Sequence, residues 1–219
     1  MNTLWTFGDS MTAGDGCVFD KPISSGGLSY YEEYKKEGDD IWPNHLAKKM
    51  NYKIKNCGIS GASNDKIIDS IIDMYFSIKE NDIVIIEKSF NQRFDIPNKE
   101  LNVLQTQYAE SLSNLITNYK KNKHNIENTK IETIINYAVY FSDDNLLKTR
   151  QDKRFNFLKN LIKNKAKICY IWDVIEFGRT QESIAEHTNG KIKDSHWSFN
   201  GHLNFSELLY EILFKKELI

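Results

Sequence analysis

The chain has 219 residues, 40% of them hydrophobic and 27% charged, with a formal net charge of −1. That length suits one α/β domain able to bury a sizeable core. So even a charge balance gives no reason to expect nucleic acid or an anionic membrane as a partner. Cys17, Cys57 and Cys169 lack paired spacing, which argues against a disulfide framework and for a reducing compartment. No Cys-x-x-Cys or His-Glu-x-x-His pattern occurs, so no metal or cofactor is expected. No basic segment precedes an apolar stretch at the start, and no apolar run is long enough for a bilayer. A soluble, cytoplasmic protein is the expectation.

Thr3 to Thr6 are aromatic, apolar or β-branched and predict a short buried strand. It runs into Gly8-Asp9-Ser10, which leaves a small hydroxyl at the carboxyl edge of a sheet. In open α/β sheets that edge is where ligands bind. Residues 15–40 form a long polar stretch, either a solvated insertion or a substrate lid. Trp42-Pro43 opens a helix through Met50, since Pro suits a first turn. Tyr52 to Cys57 reads as the second strand, and Ser63 or Asn64 caps the helix that follows. Ile67, Ile68, Ile71, Ile72, Tyr75 and Ile78 are its predicted buried stripe.

Asp82 to Ile86 is a nearly continuous apolar run, the pattern of a central parallel strand. Beyond it lie Asn91 and Arg93; the arginine suits a loop-locking salt bridge or an anion site. Pro97-Asn98 are expected to introduce a long helix carrying Leu101, Leu104, Tyr108, Leu112, Leu115, Ile116 and Tyr119. Residues 131–140 fit helix or strand, with helix favoured, and residues 143–164 fit a helix. Lys167 to Asp173 is the last predicted strand, and a final helix starts near Ser198 or Asn200. The reading is a single domain over residues 1–219 with a helical elaboration around 100–164, serving as a cap or a dimer surface.

Near the carboxyl end stands Asp194-Ser195-His196-Trp197. A hydroxyl is a poor nucleophile until a base takes its proton, and that base works best when a carboxylate fixes its tautomer. Ser10, Asp194 and His196 supply those three groups, and on an extended loop Asp194 and His196 point to the same side. His202 competes as the base but has no carboxylate two or three residues before it.

Gly8-Asp9-Ser10, then Asn56-Cys57-Gly58-Ile59-Ser60-Gly61, then Asp194-x-His196 together resemble the SGNH/GDSL hydrolases. The resemblance implies a three-layer α/β/α sandwich with a flavodoxin-like parallel sheet, and ester hydrolysis through a serine. It also implies an oxyanion hole from the Ser10 and Gly61 N–H groups and the Asn91 amide. The family's Gly-x-Asn-Asp block is altered here to Ser89-Phe90-Asn91-Gln92. The Asp-x-His-Trp form is similar to that of some polysaccharide O-acetylation proteins. The expected substrate is therefore a small-molecule or carbohydrate ester, an O-acetyl sugar among them. The alternatives are an O-acyltransferase using the same residues, and a non-catalytic carbohydrate-binding or virion module.

Overall fold

The first strand, β1 (Thr3–Gly8), is an inner strand of a four-stranded parallel sheet. The computed structural model describes residues 1–14, 41–91, 93–98, 103–108, 144–174, 197 and 199–214. After β1 come α1 (Ser10–Ala13), α2 (Trp42–Met50), β2 (Lys53–Gly58), α3 (Asn64–Met74) and β3 (Ile83–Lys88). They are followed by β4 (Arg93–Asn98), β5 (Val103–Tyr108), α4 (Asp144–Lys163), β6 (Ile168–Asp173) and α5 (Phe199–Phe214).

The sheet order is β2-β1-β3-β6. The chain steps from β1 outward to β2, then crosses back over β1 to β3. That reversal opens a crevice at the carboxyl ends of β1 and β3, the ordinary ligand position in such folds. The order, with helices on both faces, is the flavodoxin-like α/β/α arrangement expected from the sequence.

Two cores sandwich the sheet because alternate residues of a strand face opposite sides. Trp5, Phe7, Val84 and Ile86 pack with Ile67 and Ile71 of α3 and with Phe155, Leu158 and Ile162 of α4. Leu4, Ile83 and Ile85 face the other way, onto Trp42 and Leu46 of α2 and Phe205 and Leu209 of α5. Each fully buried isoleucine contributes on the order of 1.5–3 kcal/mol.

The amino edge of the sheet is closed by Asp82. Its carboxylate accepts from Thr3 N (2.8 Å), the Trp5 indole (2.9 Å) and Lys79 N (3.0 Å).

Three sequence expectations are corrected. Residues 93–98 and 103–108 pair as an antiparallel hairpin with Pro97 opposite Leu104, not as the start of a long helix. Among the described residues these strands pair only with each other, and proline is tolerated on such edge strands. Ile72 is 54% exposed, because α3 turns its 67-68-71 face inward and the isoleucine lies beyond that arc. The third strand continues past its apolar run to Lys88, and Glu87 and Lys88 are both buried. The helix over 144–163 agrees with expectation, while 109–143, including the 131–140 segment, lies outside the described residues. The 15–40 stretch also lies outside them.

Candidate active site

Ser10 begins α1 directly after β1 and is 6% exposed. Asp9 caps this one-turn helix, with Oδ1 accepting from Met11 N at 3.0 Å. Ala13 N donates to Asp9 O at 2.8 Å and Gly14 N to Ser10 O at 2.9 Å. The turn is then tied down from two sides. The Asn56 amide donates to Thr12 O (2.9 Å) while its oxygen accepts from the Thr6 hydroxyl and Gly58 N, both at 3.0 Å. The Trp42 indole donates to Met11 O at 3.1 Å.

Behind the turn, Asp9 and Glu87 form a buried pair of carboxyl groups. Asp9 Oδ2 accepts from the Ser89 hydroxyl and from Arg93 Nη1, both at 2.6 Å. Glu87 Oε2 accepts from Asp9 N (3.2 Å), Thr12 N (3.1 Å) and the Thr12 hydroxyl (2.5 Å). Gly8 makes this possible: a Cβ there would collide with Glu87 Oε2 and the Thr12 hydroxyl. Burial alone would raise the Asp9 pKa. The hydrogen bond from Glu87, the Arg93 guanidinium and the Ser89 hydroxyl outweigh it and hold the carboxylate below its usual range. Burial, then the Asp9 charge, push Glu87 well above its ordinary value.

Gly61 follows β2 in an exposed turn with φ of +68°. Open space surrounds the position a Cβ would take, so the left-handed backbone, not crowding, favours glycine there. Asn91 follows β3 and is buried, and its Oδ1 has no hydrogen-bond partner. The loop carrying it is fixed from α3: Asn64 accepts from Ser89 N (2.8 Å) and donates to Ser89 O (2.9 Å). Gly61, Ser10 and Asn91 thus follow the carboxyl ends of three neighbouring strands, β2, β1 and β3, with Ser10 in the middle.

Asp194 and His196 lie outside the described residues. Trp197, the next residue, is buried and stacks on Trp172 of β6, with ring centroids 5.8 Å apart. His202 is fully buried in α5, where its Nδ1 accepts from Trp42 N at 3.3 Å. Arg93 is a salt-bridge residue facing Asp9, one of the two roles its position suggested. Sequence reasoning missed Glu87. Its signal was a carboxylate abutting the apolar run of a central strand, where a charge is costly.

A doubly wound parallel sheet with a serine-bearing turn at its switch point places the chain among α/β enzymes working at the carboxyl edge of the sheet. The chain belongs to the GDSL-like lipase/acylhydrolase family, whose model matches residues 4–216. It is therefore an enzyme acting on ester bonds. Similar solved structures include an aryl esterase from M. smegmatis, 13% identical, with 100% of each chain covered and a TM-score of 0.43. A member of the lipolytic G-D-S-L family from Veillonella parvula is 13% identical over 99% of this chain and 100% of that one, with a TM-score of 0.41. An acetyl xylan esterase from Butyrivibrio proteoclasticus is 13% identical, covering 99% of this chain and 64% of that one, with a TM-score of 0.47. No curated protein matches the chain. Among the described residues, no helix is long and apolar enough to cross a membrane.

Proposed function

We propose that the protein is a serine esterase in which Ser10 is the nucleophile, His196 the base and Asp194 its orienting carboxylate. The observation that carries this reading is the order of strand ends, with Ser10 between the Gly61 turn and the Asn91 loop. Ser10 Oγ attacks the ester carbonyl as His196 takes its proton. The tetrahedral oxyanion receives hydrogen bonds from the Ser10 and Gly61 N–H groups and the Asn91 amide. Each such donor is worth roughly 3–4 kcal/mol of barrier. His196 then protonates the leaving alcohol, and water repeats the sequence on the acyl-enzyme.

Two features support these assignments. Trp197, the residue after His196, stacks on Trp172 at the carboxyl end of β6, on the same sheet edge as Ser10. His202 is buried with its Nδ1 engaged by Trp42, which suits a packing residue better than a base. The substrate we assign is a small acyl ester, an O-acetyl group on a carbohydrate in the first instance, following the Asp-x-His-Trp form. The chain acts as one domain in this reading.

The test is labelling by a fluorophosphonate and hydrolysis of p-nitrophenyl acetate. Ser10→Ala is expected to fold normally and to lose both. Wild-type hydrolysis by Ser10→Ala would remove the serine mechanism. His196→Ala should lower kcat by several orders of magnitude, whereas His202→Ala should act mainly through stability.

A further inference from the structure

We propose that Glu87 is a positioning residue for the nucleophile: as an uncharged carboxylic acid it binds the Ser10 turn through Oε2 and donates a proton from Oε1 to the Asp9 carboxylate. The role rests on the reading of Ser10 as nucleophile.

The argument is one of counting bonds and charges. Glu87 Oε2 already accepts from Asp9 N, Thr12 N and the Thr12 hydroxyl, the groups that flank Ser10 on both sides. Among the described residues, no donor reaches the buried Glu87 Oε1. An ionised carboxylate would leave that oxygen as an unpaired buried anion, at a high cost. Its neighbour is the Asp9 carboxyl, whose charge helps to raise the Glu87 pKa, and two carboxyl groups side by side can share a hydrogen bond when one of them carries the proton. Asp9 keeps the charge because Arg93 and Ser89 both donate to its Oδ2. Arg93 of β4 pairs with Asp9, and Lys88 of β3 pairs with Asp152 of α4 and Asp173 of β6. Among the described residues the Arg93 guanidinium pairs with Asp9, and a proton on Glu87 leaves the second carboxyl group uncharged.

The proton has a measurable consequence. A carboxyl group whose pKa is raised by folding stabilises the fold below its unfolded pKa, and that contribution fades as pH rises towards the folded value. Asp9, held low, and Lys88, held high by its carboxylate partners against burial, do not titrate across the neutral range. Glu87→Gln keeps an acceptor and a donor in the same places without a titrating proton.

The experiment compares wild type, Glu87→Gln and Glu87→Leu. The Tm of Glu87→Gln minus that of wild type should grow as pH rises from about 5 to about 9. Glu87→Gln should hold kcat for p-nitrophenyl acetate within about threefold of wild type, whereas Glu87→Leu should lose about 10²-fold or more in kcat with KM little changed. A Tm difference that is flat or shrinks with pH overturns the proposal. So does a Glu87→Gln variant as slow as Glu87→Leu, or a Glu87→Leu variant as fast as wild type. If Glu87→Leu fails to fold, the pH dependence of the Glu87→Gln difference decides. If Ser10→Ala hydrolyses the ester as wild type does, the nucleophile reading has failed and the positioning role falls with it. The Tm comparison still decides the protonation state in that case.

Discussion

Asn91 is a buried amide in a loop that exchanges two hydrogen bonds with Asn64. The oxyanion reading uses its Nδ2 group, a donor, where charge appears only during reaction. Asn91→Ala should lower kcat by about 10²–10³ while KM changes little, measured on a short p-nitrophenyl ester. An equal rise in KM would make it a binding residue instead. Gly8→Ala should destabilise the fold by about 1–3 kcal/mol, read by urea denaturation, because a methyl group there overpacks the space held by Glu87 and Thr12. The positions of single residues were legible from the strand ends: Ser10 was expected just past the first strand and Asn91 just past the third, and both lie there. Glu87 was not legible, because a Glu-Lys pair after an apolar run reads as the exit into a loop. The strand continues because Lys88 is neutralised by Asp152 and Asp173, and Glu87 by hydrogen bonds and a proton.

Among the elements, the β4–β5 hairpin was misread. Leu101, Leu104 and Tyr108 stand at helical spacing, yet Leu104, Thr106 and Tyr108 also alternate with Val103, Gln105 and Gln107. Short stretches of this kind satisfy both periods, and tertiary pairing decides between them. The first residue of the hairpin supplies the Asp9 counter-charge, so the element is tied to the nucleophile turn by one guanidinium. Arg93→Met should cost about 3–5 kcal/mol, the usual result of leaving one partner of a buried pair uncompensated. The sign of its pH dependence follows from Asp9. Its lowered pKa gives stability that is present above the unfolded value and lost as pH falls through the folded one. Without Arg93 the folded value rises, so acid unfolding should begin at a higher pH than in wild type. Equal acid midpoints by circular dichroism would contradict this. The helices α2, α3 and α4 were read correctly because each combines a clear start or stop with a 3.6-residue apolar repeat.

Across the whole molecule, the sheet separates stability from chemistry by its two edges. Asp82 at the amino edge satisfies two backbone donors and the Trp5 indole. Asp82→Ala should cost about 1–3 kcal/mol for each of these donors left buried. The kcat per folded molecule should not change, and a fall in kcat would show that the edges communicate. The central strand was legible from the apolar run of Asp82 to Ile86, and the layered fold from the resemblance to the SGNH/GDSL hydrolases. The placement of α5 against α2 was not, since nothing local in either helix names its partner. That packing has a consequence for how the chain reaches its native state. Trp42 N meets its acceptor His202 across 160 residues. Until α5 arrives, Leu4, Ile83, Ile85, Trp42 and Leu46 have no finished surface to join. Contacts so distant in sequence close slowly and lengthen the search for the native topology. A nascent chain still short of Phe205 leaves that side of the sheet covered by α2 without its α5 partner. It is then a substrate for chaperones and a seed for aggregation. Refolding from urea should accordingly yield less monomer as protein concentration rises, with the loss set by the time taken for this last helix to dock.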